Sequence, residues 1–169
     1  MTEPPPASAT RDLAERVIRR CAADGLWLST AESLTGGLVC AALTDVPGSS
    51  AVVSGGIVSY TVAAKSGVLG VDSELLDVVG PVHADTAAAM ARATVARFGS
   101  DFGLSTTGVA GPGPHDGHQA GTVFIAVAAS SDADGPVVVR QLRLVGDRTA
   151  VRVGTVEAVL GLLASLLDA

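Results

Sequence analysis

The sequence predicts a three-layer α/β/α domain built on a mixed sheet. Segments rich in Val and Ile alternate along the chain with amphipathic segments of helical spacing, and this alternation is typical of α/β proteins. Two consecutive strand-like segments near the C-terminus, 121–128 and 136–144, surround a turn-like stretch at 130–135. They predict a hairpin, which adds antiparallel strands to the sheet. A length of 169 residues fits one domain of this kind.

The first elements follow a Pro-rich start. Residues 1–9 predict a disordered tail, and 10–169 predict the folded domain. Apolar residues at helical spacing from Leu13 to Cys21 predict a first helix that ends before Gly25. The other elements are expected in this order: a strand at 26–30, a helix at 38–43, a strand at 51–60, short helices at 61–69 and from 72, a long helix at 85–98, a strand at 102–107 and a last helix after Asp147. Two glycines inside 51–60 predict a bulge or a close approach by a ligand.

Charge and hydropathy exclude several classes of protein. The formal net charge is −6 and the largest basic cluster is Arg19-Arg20, so nucleic-acid binding is not expected. No apolar run approaches the roughly 20 residues that a membrane span requires. Cys21 and Cys40 lack metal-ligand spacing, and the start lacks the features of a signal peptide. We expect a cytoplasmic protein with free thiols that acts on a small molecule.

The histidines form no specific metal motif. His115 and His118 share a loop with Asp116, which allows either a weak metal site or, as we expect, a solvated loop. The glycine patterns of a P-loop and of a dinucleotide-binding fold are both missing from the sequence. We therefore predict no metal and neither of these two phosphate sites.

The stretch 31–37 joins a predicted strand to a predicted helix and contains the strongest candidate for chemistry. Ser33 is a potential nucleophile in this turn, and Gly36 and Gly37 allow a ligand to approach the backbone closely. The first N–H groups of the helix would face the turn and form a site for an anion or an oxyanion. The alternative is that Ser33 or Thr35 only caps the helix.

Three further candidates lie near the ends of predicted strands. Tyr60 and Lys65 are the only Tyr and the only Lys of the chain, and their strand-to-helix junction could bring both to one point. The alternative is that they are ordinary packing and surface residues. Thr107 precedes the Gly- and Pro-rich stretch 108–117, which follows a strand where open α/β sheets hold their ligand loops.

Arg148 is the fourth candidate outside the stretch 31–37. It lies in the first turn of the last predicted helix, where a cation opposes the helix dipole. Such a placement indicates either that Arg148 serves a ligand or that it pairs with a nearby acid.

Taken together, these segments carry a resemblance. The chain resembles the CinA C-terminal domain family from about Leu13 to Leu167, and the motifs that carry the resemblance occur in the same order: Ala31-Glu32-Ser33-x-Thr35-Gly36-Gly37, Pro47-Gly48-Ser49-Ser50, Tyr60-Thr61-x-x-Ala64-Lys65-x-x-x-Leu69-Gly70-Val71, Thr107-Gly108-Val109-Ala110-Gly111-Pro112-Gly113, Gly121-Thr122-Val123 and Gly146-Asp147-Arg148-x-x-Val151-Arg152.

The resemblance implies a hydrolase of pyridine nucleotide salvage. Family members similar to nicotinamide-nucleotide amidohydrolase convert nicotinamide mononucleotide to nicotinate mononucleotide and ammonia, and no metal or organic cofactor is implied. Amide hydrolysis of this kind needs a nucleophile, a base that later acts as an acid, and donors for the oxyanion.

The resemblance also implies roles for individual residues. Ser33 would attack the carboxamide, with Lys65 as its base and Tyr60 as a helper. The pKa of Lys65 would have to fall from about 10.4 toward about 7 to 8, through burial or a nearby cation. Arg148 could be that cation and could also bind the phosphate of the substrate.

The two glycine-rich turns are expected to hold different parts of the substrate. Backbone N–H groups around Thr35, Gly36 and Gly37 would hold the oxyanion. Thr107 and the loop that begins at Gly108 would hold ribose or phosphate. The two turns could also exchange these roles.

The sequence departs from the family pattern at four places. Leu34 replaces a usual Cys, Val62 a usual Asn and His83 an expected Ser, and the loop 114–120 lacks the usual Lys-Pro. The implied catalytic set is intact, so we expect amidase chemistry. The alternatives are a catalytically inactive nucleotide-binding protein and an interaction protein linked to DNA uptake or repair. Because the last helix is very apolar, we also expect self-association into a homo-oligomer.

Overall fold

A five-stranded sheet forms the middle layer of the computed structural model, which describes residues 7–129 and 135–169. The strand order is β2-β1-β3-β4-β5. Strand β1 is parallel to β2 and β3, whereas β4 is antiparallel to β3 and β5. The predicted mixed sheet is therefore confirmed. The strands are β1 Leu28–Glu32, β2 Val53–Val58, β3 Phe102–Gly108, β4 Thr122–Ala129 and β5 Val137–Arg143.

Helices cover both faces of the sheet, which confirms the predicted three layers. Helices α1, α2 and α6 form the larger core with one face, and α4 and α5 pack on the other. The helices are α1 Ala7–Asp24, α2 Leu38–Thr44, α3 Val62–Ala64, α4 Ser73–Val79, α5 Ala84–Phe98 and α6 Arg148–Leu167. A 3₁₀ turn spans Ser49–Ala51, and a π-helical turn, Lys65–Leu69, directly follows α3.

Helix α6 is the longest of the helices in the described residues, and it is rich in Val and Leu. It has 20 residues and contains an 18-residue window with a mean hydropathy of 1.7, so it is long and apolar enough to cross a membrane by length and composition alone. Its apolar side chains instead pack between α1 and the sheet, where Val159, Leu160 and Leu163 are fully buried. The composition of α6 is therefore that of a core helix.

The predicted chain start and one predicted strand need adjustment. Helix α1 begins at Ala7, inside the predicted tail 1–9, because the prolines end at residue 6 and Ala favours helix. Residues 1–6 of that tail, and 130–134 of the predicted hairpin turn, lie outside the described residues. Strand β1 runs two residues further than predicted, to Glu32, so Ser33 follows it directly.

The glycines of β2 serve packing. The register with β1 shifts between Leu28 and Ser29, which confirms the expected bulge. A Cβ at Gly55 would lie 2.5 Å from the Phe98 ring, and one at Gly56 would lie 2.3 Å from the Thr30 hydroxyl. Neighbouring side chains, rather than a ligand, therefore require both glycines.

The topology brings the predicted site residues to one edge of the sheet. Because β1, β2 and β3 are parallel, their carboxyl ends lie side by side. Ser33 follows β1, Lys65 follows β2, and Gly108 ends β3. Residues far apart in sequence can therefore meet there.

Candidate active site

A cavity of about 370 Å³ opens at this edge of the sheet. Six of the predicted site residues line it: Ser33, Tyr60, Lys65, Thr107, Gly108 and Arg148. The other three predicted residues, Thr35, Gly36 and Gly37, are not part of the lining. The cavity therefore brings together the predicted nucleophile, base and second glycine-rich loop, but not the body of the first turn.

Ser33 and Lys65 form the chemical centre of the cavity. The Lys65 Nζ atom lies 3.1 Å from the Ser33 Oγ atom and donates a second hydrogen bond of 2.8 Å to the Ser59 carbonyl. Lys65 is 1% exposed and Ser33 is 8% exposed. The Ser33 hydroxyl thus faces the cavity with the amine behind it, the arrangement that a Ser-Lys pair requires.

Burial lowers the pKa of Lys65 from 10.5 to about 8. The physical cause is the loss of water around the ammonium, which disfavours the charged form. An ammonium also has three N–H donors, and the described residues supply only the two acceptors, Ser33 and Ser59. A neutral amine fits this site better, because it can donate to Ser59 and accept the proton of Ser33. Of the two expected causes of a lowered pKa, burial is therefore the one that acts.

The first glycine-rich turn, residues 33–37, binds a carboxylate of the protein itself. Glu32, the last residue of β1, accepts hydrogen bonds from the N–H groups of Gly37, Val39 and Cys40 at 3.0, 3.0 and 2.8 Å. Its side chain is buried and also accepts from the Thr30 hydroxyl. The start of helix α2 therefore already holds its anion.

This contact corrects the expected oxyanion site around Thr35, Gly36 and Gly37. The N–H of Gly37 is bound to Glu32, and that of Gly36 to the Ser33 carbonyl at 3.0 Å. The Thr35 hydroxyl is buried against that of Thr106 at 2.7 Å. The N–H groups of Gly36 and Gly37 are therefore used inside the protein, and none of the three residues lines the cavity.

The capping alternative for Ser33 and Thr35 is also wrong. Helix α2 begins at Leu38 with Gly37 as its N-cap, and no side chain of the N-cap bonds to the helix. The capping acceptor is Glu32, five residues before Gly37. Ser33 is therefore left to face Lys65.

Arg152 holds the same turn from the opposite side. This half-buried residue of α6 donates hydrogen bonds to the carbonyls of Leu34 and Thr35 at 3.0 and 2.8 Å. Sequence reasoning missed Arg152 and Glu32 as participants, although both lie in the motifs of the family resemblance. A buried acid next to a nucleophile and an arginine one turn after Arg148 were the available signals.

Tyr60 and Arg148 lie together at the mouth of the cavity. Arg148 donates to the Tyr60 hydroxyl at 2.8 Å and to the Gly111 carbonyl at 3.2 Å. Both side chains are exposed, and the partners of Arg148 are a phenol and a carbonyl rather than an acid. The Tyr60 hydroxyl is thus directed to Arg148, not to Lys65 as the expected helper role requires.

The second glycine-rich turn lines the cavity with its backbone. Its first residues, Gly108 to Gly111, all belong to the lining. Thr107 is buried and donates to the Pro81 carbonyl at 2.6 Å. The hydroxyl proton of Thr107 is therefore used inside the protein, and only its acceptor capacity remains for a ligand.

The departures from the family pattern fall into two groups. Leu34 lines the cavity and packs into the larger core, and the loop residues His115 and Asp116 also line the cavity. Val62 is exposed at the start of α3, outside the lining. His83 caps α5 by accepting from the Asp85 N–H, as a Ser would.

Across 7–129 and 135–169, no three His, Cys, Asp or Glu side chains are grouped to hold a metal.

The fold and the site together define a class of protein. It is a three-layer α/β protein in which a serine after a parallel strand contacts a buried lysine at the base of a small cavity. Residues 10–167 match the model of the CinA C-terminal domain. The chain therefore belongs to the CinA C-terminal domain family, as its motifs predicted.

Individual relatives agree with this assignment. A CinA-like protein of Frankia casuarinae is 48% identical over 140 residues, which are 83% of this chain and 31% of that protein. The competence/damage inducible protein CihA of Agrobacterium tumefaciens has a solved structure that is 39% identical, with a TM-score of 0.88 and full coverage of both chains. A CinA superfamily protein from Klebsiella pneumoniae is 33% identical with a TM-score of 0.88, covering 94% of this chain and 98% of that one. The chain thus spans about a third of the Frankia protein.

Proposed function

We propose that the chain is an amidohydrolase that converts nicotinamide mononucleotide to nicotinate mononucleotide and ammonia. The observation that carries this proposal is the contact between Ser33 Oγ and the buried Lys65 Nζ at the base of the cavity. The family resemblance supplies the substrate, and the local geometry supports the chemistry. The names of the relatives refer to competence and DNA damage and describe those proteins.

The first half of the reaction forms an ester on Ser33. The neutral amine of Lys65 takes the Ser33 proton while Oγ attacks the carboxamide carbon. The resulting tetrahedral species carries a negative oxygen. Lys65 then returns the proton to the amide nitrogen, the C–N bond breaks, and ammonia leaves.

The second half of the reaction restores Ser33. The neutral Lys65 takes a proton from water, and the hydroxide attacks the ester carbon. Lys65 gives that proton back to Ser33 Oγ as the acyl–oxygen bond breaks, and the carboxylic acid leaves. The sum is one amide and one water giving one acid and one ammonia, so no redox partner or metal is required.

The oxyanion is best assigned to the second glycine-rich turn. The N–H groups at the start of α2 are bound by Glu32, and the N–H of Val109 is bound by the Thr122 carbonyl at 2.9 Å. The next two residues, Ala110 and Gly111, line the cavity with Ser33. Their N–H groups are the candidate donors, which exchanges the expected roles of the two turns.

Arg148 is the candidate group for the substrate phosphate. Its guanidinium is exposed at the cavity mouth, and such a planar cation suits a phosphate geometrically. Binding would replace its contacts with Tyr60 and Gly111. A nucleotide with a charged phosphate does not cross membranes unaided, so the proposal also places the protein in the cytoplasm.

The test is ammonia release from nicotinamide mononucleotide by the purified chain. The wild type and a Ser66→Ala control should release ammonia at similar rates, because Ser66 does not line the cavity and its hydroxyl bonds only to the carbonyls of Val62 and Ala63. A Ser33→Ala variant should release none above background. Substrate-induced stabilisation without ammonia release would instead indicate a nucleotide-binding protein that has lost catalysis.

A further inference from the structure

The turn that carries Ser33 is held from two sides by charged groups of the protein. We propose that Glu32 and Arg152 are positioning residues that hold Ser33 Oγ against Lys65 Nζ. This inference rests on the proposed function, because it concerns the nucleophile of that reaction. Neither residue lines the cavity, so each would act through the turn and not by touching the substrate.

Glu32 holds the end of the turn that enters helix α2. Its two carboxylate oxygens together accept three backbone N–H groups, from Gly37, Val39 and Cys40. The carboxylate is 1% exposed, so these charge-assisted bonds are shielded from water. Because Glu32 directly precedes Ser33, the same residue fixes the backbone before the nucleophile and the helix after it.

Arg152 holds the middle of the turn. Its guanidinium binds the carbonyls of Leu34 and Thr35, the two residues that follow Ser33. A Cβ at Gly36 would lie 3.4 Å from its Nη2 atom, so the guanidinium packs closely on the turn. Both carbonyls are therefore held by a donor from α6.

The backbone of the turn supplies only two hydrogen bonds of its own, from the Gly36 N–H to the Ser33 carbonyl at 3.0 Å and from the Leu38 N–H to the Thr35 carbonyl at 3.3 Å. Gly36 and Gly37 have φ values of 60° and 100°, in the left-handed region. Glycine populates other backbone conformations about as readily, so these two residues do not fix the turn. Ser33 itself is tied to the neighbouring strand only through its N–H, which donates to the Thr106 carbonyl at 3.0 Å. If Arg152 were lost, the segment 34–36 could relax and change the 3.1 Å contact between Ser33 and Lys65.

The experiment compares Arg152→Met and Arg152→Lys with a control, Arg19→Met. Arg19 also donates to a carbonyl, that of Glu15, but on the exposed face of α1. Each protein is assayed for kcat and KM with nicotinamide mononucleotide. Each is also labelled with a fluorophosphonate probe, which reacts with an activated serine and needs no amide substrate, and the rate and final extent of Ser33 labelling are measured.

A positioning role predicts slower chemistry in a correctly folded protein. A displacement near 1 Å typically costs about 100-fold, so Arg152→Met should lower kcat and the labelling rate by about that factor. KM and the final extent of labelling should stay near wild type. Arg152→Lys retains one charged donor and should recover part of both rates, whereas Arg19→Met should change neither.

Glu32→Gln provides the second variant. It keeps the size of the side chain but loses the charge and one acceptor, so it should lower kcat and the labelling rate while most of the protein still labels at the end point. A merely structural role predicts the opposite pattern: fewer sites that label, each with the wild-type rate. That pattern in both Arg152→Met and Glu32→Gln overturns the inference.

The two readouts separate this inference from the proposed function. If the wild type labels at Ser33 but releases no ammonia, the proposed function fails, and a slower labelling of Arg152→Met still supports the positioning role. If the wild type hydrolyses the amide and Arg152→Met does so equally fast, the inference fails and the proposed function stands. A wild type that neither labels nor hydrolyses contradicts both.

Discussion

Two glycine-rich turns follow neighbouring parallel strands at the same edge of the sheet, yet they differ in what fills them. In the first turn, 33–37, Glu32 binds N–H groups and Arg152 binds carbonyls. The second, 108–113, lines the cavity with its backbone. The first turn is thus bound by the protein and contributes only Ser33 and Leu34 to the cavity. The second is open to a ligand.

The difference shows that glycine content alone does not identify an anion site. Both turns contain glycines after a strand, and the first also precedes a helix, which is the usual setting for anion binding. A buried carboxylate of the chain occupies that setting. Changes that act on Ser33 or Lys65 should therefore lower kcat, and changes at the cavity mouth that leave the oxyanion donors of the second turn in place should raise KM.

The largest expected effect is that of Lys65→Met. This change removes the general base proposed for Ser33 and keeps an apolar side chain of similar length, so kcat should fall by about 10³ to 10⁴-fold. The folded state should persist, because a buried amine is replaced by an apolar group. Circular dichroism and ammonia release check this, and turnover close to wild type would refute the Ser-Lys assignment.

The pH dependence of the rate should report the same group. Lys65 must be neutral to act as a base, and its pKa is lowered to about 8 by burial. The rate should therefore rise with pH and level off above about pH 8. A kcat profile measured from pH 6 to 10 checks this, and a rate that falls through that range would contradict it.

Stability should depend on pH in a related way. Between about 8 and 10.5 the unfolded state holds the Lys65 proton and the folded state does not, so raising the pH stabilises the fold. A shift of this size corresponds to about 3 kcal/mol in the free energy of unfolding. Below about pH 8 both states are protonated and the full cost of burying the charge remains. Denaturant unfolding should show the wild type gaining stability relative to Lys65→Met as the pH rises through this window, and a difference that stays constant with pH would contradict it.

Arg148→Met should affect binding more than chemistry. Loss of a charge-assisted contact to phosphate should raise KM for nicotinamide mononucleotide by about 10 to 100-fold. Nicotinamide riboside lacks the phosphate, so its kcat/KM should be similar for the variant and the wild type. An equal loss with both substrates would place Arg148 in the chemical step instead.

The smallest expected effect is that of Gly113→Ala. Gly113 lines the cavity, a Cβ there meets nothing within 4 Å, and its φ is not in the left-handed region. The added methyl group should therefore raise KM a few fold without changing the thermal midpoint. A fall in kcat with unchanged KM would contradict this prediction.

The fold was largely predictable because its signals are local. Helix α6 begins directly after Asp147 and helix α5 ends at Phe98, as the sequence predicts. The meeting of Ser33 and Lys65 could be anticipated once each was placed after a strand, since adjacent parallel strands end at the same edge. Burial of the sole lysine also supported the predicted fall in its pKa.

The partners of each site residue could not be predicted, because they depend on how distant elements pack. Glu32 is the exception, because the N–H groups that it binds lie only 5, 7 and 8 positions further along the chain. Arg152 reaches Leu34 across 118 positions, and Arg148 reaches Tyr60 across 88. The expected oxyanion site and the helper role of Tyr60 both depended on such contacts.

Trapping the acyl group is the most direct test of the central claim that Ser33 is the nucleophile activated by Lys65. Wild-type protein in excess is mixed with nicotinamide mononucleotide and quenched with acid before turnover is complete, and its peptides are mapped by mass. The account predicts an acyl adduct on the peptide that contains Ser33, and neither adduct nor ammonia with Ser33→Ala. An adduct on another residue, or ammonia release by Ser33→Ala at the wild-type rate, would contradict it.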